Sequence, residues 1–273
     1  MSENQKKIWI TGASSGIGKA VAEKFASEGW MVAASARRQE ILNKMAENQN
    51  IFAYPLDVTQ KENVTKTFNN IIEDFKNVDI CLFCSGTYDP KLEQEINIEQ
   101  NKFVMETNYF GVLNCIKAVE TYFKNKKSGQ ISIVSSVAAY RGLPNSSGYG
   151  PSKAALTNLT ESIYFDFKKH NVKISLVSPG FIKTPLTDKN EFPMPFIRSP
   201  EFAADKIFQG LTKKNIFEIH FPLGLTLTLK FLRILPLSIS VLSIPLSSTP
   251  TLSPASPESK SFLNISTPVQ TDF

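Results

Sequence analysis

The run Thr11-Gly-Ala-Ser-Ser-Gly-Ile-Gly18 stands between a short apolar stretch, Lys7–Ile10, and a segment, Gly16–Ser27, whose Ile17, Ala20, Val21 and Phe25 recur at helical spacing. A strand that passes into a helix through three glycines admits few folds. Gly12 permits a tight turn, Gly16 lets the backbone approach a pyrophosphate, and Gly18 allows close helix–strand packing. The helix N-terminus that follows presents free N–H groups and the positive end of a dipole, a natural seat for phosphate.

The rest of the chain repeats this alternation. Strands are expected at Trp30–Ser35, Ile51–Tyr54, Asp79–Cys84, Gln130–Ser135, Val172–Val177 and Ile216–Ile219. Helices are expected at Arg38–Glu47, Lys61–Phe75, Glu99–Phe123 (one long helix), Gly148–Lys169 and Glu201–Thr212. Strands alternating with helices of this length imply βαβ units with right-handed crossovers. The predicted fold is α/β: a doubly wound parallel sheet, Rossmann-like, in three α/β/α layers.

A chain of 273 residues with 42% hydrophobic and 20% charged residues suits one soluble domain with a full core. We assign residues 1–235 to that domain, including a loop at 186–198. From about Pro236 Ser, Pro and Thr make up about half of the residues, and 236–273 reads as a disordered tail. A shifted reading frame at the gene's end would leave the same composition. Residues 221–237 are Leu-rich but carry Lys230, Arg233 and Pro236, which argues against a membrane span. Packing on the protein or on a partner subunit is favoured there over contact with a membrane surface. The net charge of +5 is dispersed, with no basic stripe interleaved with aromatics, so nucleic-acid binding is not expected. The N-terminus lacks a signal-peptide core, and three cysteines cannot all pair, so a reducing, cytoplasmic location is expected. Cys81 and Cys84 lie three apart on a strand and point to opposite faces, which disfavours a shared metal ion. His170 and His220 sit near no nucleophile or ligand cluster, and no metal site is expected.

Tyr149 and Lys153, four apart, share one helical face, with Ser136 upstream in Ile-Ser-Ile-Val-Ser-Ser. A phenol beside an ammonium can become a proton donor that works near neutral pH. Ser135, its strand neighbour, faces the other way and is expected to be structural. After the second strand stand Arg37 and Arg38, with no carboxylate to take a ribose hydroxyl; two guanidiniums suit a 2′-phosphate. NADP is therefore preferred as cofactor, with NAD the alternative. Asp57 can meet the adenine edge or cap the next helix. Pro151 falls in a first helical turn, where its missing N–H costs little.

These residues resemble the short-chain dehydrogenase/reductase family: Thr11-Gly-x-x-x-Gly-x-Gly18, Asp57, Asn108, Ser136, Tyr149-x-x-x-Lys153 and Ser178-Pro-Gly180 appear in order over about residues 7 to 220. The resemblance implies a catalytic set of Asn108, Ser136, Tyr149 and Lys153. It also implies cofactor contacts from Gly12, Ser14, Ser15, Gly16, Ile17 and Gly18, from Arg37, Arg38, Asp57, Val58 and Gly86, and from Pro179, Gly180, Ile182 and Thr184. Tyr149 and Lys153 face the same cofactor. Asn108 is implied to hold a water that links Lys153 to solvent, and helices 99–123 and 148–169 to form homo-oligomer contacts. One departure is plain: where many relatives carry Asn-Asn-Ala-Gly, this chain has Phe83-Cys84-Ser85-Gly86, and the missing Asn puts a strand-tying hydrogen bond in doubt.

The expected activity is NADP-dependent hydride transfer between nicotinamide and a carbonyl or secondary alcohol of a small-to-medium apolar substrate. Tyr149 exchanges the proton, Ser136 orients the oxygen, and Lys153 lowers the tyrosine pKa with help from the oxidised nicotinamide. The alternatives are a 3-oxoacyl-thioester reductase of lipid metabolism and a non-catalytic NADP-binding sensor. Retention of both acid and lysine favours an enzyme. Residues 186–198, apolar at Phe192, Met194, Phe196 and Ile197, are expected to form a mobile lid, the alternative being a rigid packing segment or subunit contact.

Overall fold

A computed structural model of the chain describes residues 5–213, 216–236 and 238–239. Seven parallel strands form one sheet in the order β3-β2-β1-β4-β5-β6-β7. They are β1 (Lys7–Thr11), β2 (Met31–Ala36), β3 (Ile51–Pro55), β4 (Ile80–Phe83), β5 (Gln130–Val134), β6 (Lys173–Pro179) and β7 (Glu218–Phe221). The helices are α1 (Gly16–Ser27), α2 (Gln39–Met45), α3 (Lys61–Phe75), α4 (Ile98–Met105), α5 (Gly111–Lys126), α6 (Tyr149–Lys168), α7 (Pro200–Thr212) and α8 (Leu223–Ile234). The predicted doubly wound architecture is thus the observed one, with element ends within a few residues of those expected.

Parallel strands covered on both faces are largely apolar, and β1, β2, β4 and β5 are buried at every position. Alternate side chains feed two separate cores. Ile8 and Ile10 of β1 pack with α1 and α7, through Val21, Phe25, Ala204 and Ile207. Trp9 points the other way, among Phe68, Phe83 and Val119. Its ring stacks on Phe68 at 5.4 Å, and its Nε1 donates to Ser35 Oγ at 2.9 Å. Cys81 belongs to the Trp9 core, whereas Cys84 packs against the Ile8 core, so the two thiols lie on opposite sides of the sheet.

One expectation changes. The long helix expected over 99–123 is broken: α4 passes into a single π-helical stretch, Glu106–Phe110, before α5 begins. The wider turn carries Asn108 fully inward. Helical periodicity in the sequence continues across such a break, which is why the break left no trace there. The Leu-rich segment forms α8, packed on the domain by Leu225 and Leu229 against Val137, Tyr140 and Phe181. Arg141 fastens its C-terminal end, donating to the carbonyls of Leu232, Arg233 and Leu235. The opposite face of α8 presents Leu223, Leu227, Phe231 and Ile234 to solvent. Among the described residues no helix is long and apolar enough to cross a membrane. The tail assigned to 236–273 lies almost wholly outside the described residues.

The first helix is held in place by aromatic packing. Phe25 meets Trp30 at 5.0 Å and Phe208 of α7 at 4.9 Å, both edge to face. Phe25→Ala should therefore lower the free energy of unfolding by about 3–5 kcal/mol. Urea denaturation with an unchanged m-value is the measurement.

Candidate active site

The sheet order reverses between β1 and β4, and there the connections leave to opposite faces and open a crevice at the carboxyl ends of the strands. The glycine turn crosses this opening. Gly12 has φ +71°, and a Cβ on it would lie 2.8 Å from the Cys84 carbonyl oxygen. A Cβ on Gly18 would lie 2.3 Å from the Gly12 carbonyl oxygen. The backbone has no room for a side chain at either position. The first turn of α1 contains no acidic residue, and its cap residue Ser15 makes no side-chain capping bond, which leaves the N–H groups facing the crevice for an anion.

A cleft of about 480 Å³ runs along the crevice. It is lined by Gly12, Ser14, Ser15, Gly16, Ile17 and Gly18, by Arg37, Arg38, Asp57, Val58 and Gly86, and by Ser136, Tyr149, Lys153, Pro179, Gly180, Ile182 and Thr184. Residues spread over most of the chain are brought to one surface. At one end Arg38 donates through Nε and Nη2 to Ser14 Oγ at 3.1 and 2.9 Å. That bond turns its guanidinium towards the glycine turn. Asp57 is held in a local turn, its Oδ1 accepting from the N–H and the hydroxyl of Thr59. The cap of α3 is Gln60, so Asp57 is no helix cap.

At the other end Tyr149 opens α6 and Lys153 follows one turn later. Lys153 is buried, its Nζ donating to the Val134 carbonyl at 3.0 Å and lying 5.6 Å from the centre of the Tyr149 ring. Asn108 does not line the cleft but stands behind it. Its Oδ1 accepts from the Thr87 N–H at 2.7 Å, and its Nδ2 donates to the Thr87 carbonyl and to Ser152 Oγ, both at 3.0 Å. A Cβ on Gly86 would stand 3.5 Å from both Asn108 Oδ1 and Lys153 Nζ, so both groups border the space above this glycine. Ser136 stands just past β5, its hydroxyl capping the next short turn by accepting from the Ala138 N–H at 3.1 Å. Ser135 also borders the cleft, but its hydroxyl is turned to α6, donating to the Lys153 carbonyl at 2.8 Å. The strand tie put in doubt by Cys84 is made from β1 instead: the Cys84 N–H donates to Thr11 Oγ1 at 3.2 Å.

The electrostatics differ from the simplest expectation. Burial pushes the Tyr149 phenol up to about 12, with the Ser136 hydrogen bond pulling it back and the electrostatic influence of Cys84 and of Glu93 adding to the rise. Burial also brings Lys153 down to about 8. Desolvation thus outweighs the nearby ammonium as far as the protein's own groups go. Sequence reasoning also missed two neighbours. Tyr88 lies with its ring 4.7 Å from that of Tyr149, and Glu93 Oε2 accepts from the N–H groups of Gly148 and Tyr149, each at 2.9 Å. Both sit in a polar connecting segment where no periodicity distinguishes them.

Comparison with known proteins agrees with this geometry. The family profile of short chain dehydrogenases matches residues 6–193. An uncharacterized oxidoreductase of Staphylococcus epidermidis is 29% identical over 79% of this chain and 95% of its own length. A 3-oxoacyl-[acyl-carrier-protein] reductase FabG of Thermotoga maritima is 30% identical over 67% of this chain and 77% of its own. The structure of ElxO with NADP bound superposes with a TM-score of 0.73 at 27% identity, covering 82% of this chain and 99% of that one. A seven-stranded doubly wound sheet with a glycine turn at its switch point marks a nucleotide-binding domain. The chain belongs to the short-chain dehydrogenase family and is a nicotinamide-dependent dehydrogenase or reductase.

Because the Gly12 carbonyl leaves no room beside Gly18, Gly18→Ala should displace the turn. Affinity for the nicotinamide nucleotide should fall at least about tenfold, equivalent to about 1.4 kcal/mol. Cofactor fluorescence titration, with far-UV circular dichroism to verify folding, checks this.

Proposed function

We propose that the protein is an NADP-dependent oxidoreductase that interconverts a carbonyl and a secondary alcohol on a small-to-medium apolar substrate. The observation that carries this reading is the convergence of Ser136, Tyr149 and Lys153 on one end of a cleft whose other end holds Ser14, Arg37 and Arg38. The glycine cradle fits a pyrophosphate, and the Arg38–Ser14 pair fits an added phosphate on the adenosine ribose. NADP bound to the similar ElxO supports the same choice of cofactor.

When bound, the nicotinamide supplies or takes the hydride and, oxidised, adds positive charge beside the phenol. In reduction the Tyr149 hydroxyl donates its proton to the substrate oxygen, and Ser136 Oγ donates a hydrogen bond that orients that oxygen. A phenol pushed up to about 12 is held protonated at neutral pH, the form an acid needs. Lys153 restores the proton side of the site, its Nζ close to Asn108, which is itself fixed by Thr87 and Ser152.

The 186–198 segment is read as a substrate cover. It leaves and rejoins the domain through paired main-chain bonds, Lys183 N–H to the Arg198 carbonyl at 2.8 Å and Arg198 N–H to the Phe181 carbonyl at 3.0 Å. Two ion pairs join it to the Tyr88 segment across the site, Lys189–Asp89 at 2.8 Å and Lys91–Glu191 at 2.9 Å. A homo-oligomer is supported by the exposed Phe103, Phe110 and Phe165 on the α4–α6 side. The free thiols of Cys81, Cys84 and Cys115 are in keeping with a cytosolic setting. The Thermotoga maritima reductase favours a second reading, reduction of a 3-oxoacyl thioester, which the same three residues would carry out.

Tyr149→Phe should lose about 10²–10⁴-fold in kcat with cofactor affinity retained. NADPH oxidation followed at 340 nm with aldehydes, ketones and 3-oxoacyl thioesters of graded length tests this and separates the two substrate readings. Arg37→Asp should move the preference from NADP towards NAD, read as the ratio of kcat/KM values for the two cofactors. The rate of reduction should decline as pH rises past about 8, where Lys153 gives up its proton while Tyr149 still holds its own. A pH profile of kcat is the check.

A further inference from the structure

Glu93 lies in the polar connection between β4 and α4, yet only 2% of it is exposed. Its Oε2 accepts from both the Gly148 and Tyr149 N–H groups at 2.9 Å. Its Oε1 is equally enclosed and has no hydrogen-bond partner among the described residues. The lysines nearby are engaged elsewhere, Lys91 with Glu191 and Lys189 with Asp89. Burying a carboxylate away from a cation is costly. Here the offset is the N-terminus of α6, whose free N–H groups and dipole attract a negative charge. Gly148, the cap residue of this helix, has no side chain with which to cap it. Ser146 Oγ takes the Gly150 N–H locally at 2.9 Å, but the Gly148 and Tyr149 N–H groups are taken by a side chain from a distant part of the chain. Five residues before Glu93, Tyr88 lies against the Tyr149 ring and donates through its hydroxyl to the Asn145 carbonyl at 2.9 Å. One segment therefore grips Tyr149 at its backbone and at its ring.

We propose that Glu93 is a positioning residue, whose buried carboxylate clamps the first turn of α6 and so sets where the Tyr149 phenol stands relative to Ser136 and Lys153. This rests on the reading of Tyr149 as the proton-exchanging group. The carboxylate has a second effect through its charge. The titratable groups facing the phenol are Cys84, Tyr88, Glu93 and, on its own helix, Lys153. After burial and the Ser136 bond, the electrostatic influence of Cys84 and of Glu93 raises the phenol further and disfavours its anion. Glu93 thereby holds the acid in its proton-donating form.

The test compares Glu93→Ala with Glu93→Gln in the full chain. Glu93→Ala should lose about 10–100-fold in kcat for carbonyl reduction, as expected for a displaced catalytic group. KM for NADPH should stay within about twofold. Glu93→Gln keeps an oxygen that accepts both N–H bonds and should recover most of the loss. With the charge gone, its pH profile for alcohol oxidation should move to lower pH, because the phenolate base then forms more readily. Apart from turnover, the nuclear Overhauser contact between the Tyr88 and Tyr149 rings in tyrosine-labelled protein should persist in Glu93→Gln and vanish in Glu93→Ala. Wild-type kcat and ring contact in Glu93→Ala would overturn the proposal. If Glu93→Ala does not fold, Glu93→Gln decides alone, and an unmoved pH profile overturns it. If the wild type reduces no carbonyl compound, the proposed function fails, while the ring contact still tests the clamp.

Discussion

The whole site depends on one close approach of backbone to backbone. At the switch point the Gly12 Cα faces the Cys84–Ser85 peptide so tightly that a Cβ would fall 2.8 Å from the Cys84 oxygen and the Ser85 nitrogen alike. This contact seats the glycine turn over the end of β4. It fixes where α1 begins and where its N–H groups point. A second contact of the same kind, Gly18 against the Gly12 carbonyl, closes the turn onto the helix. Opposite, Thr184 comes within reach of Gly16, its Cγ2 3.0 Å from where a Cβ would be, so the far wall of the cleft is set by the same turn. The nucleotide cradle is made of main chain, and its shape follows from the places where side chains are absent.

The chemistry at the other end obeys a different constraint, desolvation. Tyr149, Lys153 and Cys84 are all displaced from their usual titration ranges first by burial, towards the neutral form in each case. A pocket that neutralises its own groups leaves room for charge brought by a ligand to decide the protonation state. A positively charged nicotinamide ring would act most strongly in such surroundings, because few mobile waters screen it. The polar network around α8 has the opposite character. Glu218 accepts hydrogen bonds from Tyr140 and Ser178 and pairs with Lys230 at 2.6 Å. These partners hold its carboxyl below the usual range despite burial. That network ties the strand ends beside the cleft to α8.

Much of this was legible in the sequence because the physics acting on it is local. Ile8, Trp9 and Ile10 had to be apolar for a strand covered on both faces, and Val64, Phe68, Ile71 and Phe75 had to recur at helical spacing on α3. The glycine turn and the Tyr149–Lys153 pair are short-range patterns and were found for that reason. What escaped depends on contacts between distant segments. The π turn at Asn108 is fixed by Thr87 and Ser152, neither of which is its sequence neighbour. Glu93 is one of several acidic residues in a polar stretch, and only the fold shows that it is buried while Glu95 is exposed. The expected acidification of Tyr149 draws on Lys153 and on an oxidised nicotinamide together, and among the protein's own groups it is burial that dominates.

The paired serines at the end of β5 carry a consequence of their own. Ser135 N–H extends the ladder to the Val177 carbonyl at 2.8 Å, and its hydroxyl grips the Lys153 carbonyl, while Ser136 turns into the cleft. Successive strand residues point to opposite faces, so β5 works as a ruler that measures both the helix carrying the lysine and the hydroxyl facing the substrate. Loss or gain of a single residue between Gln130 and Ser136 would swap the two serines without changing either one. The length of this stretch is thus as much a part of the active site as any functional group.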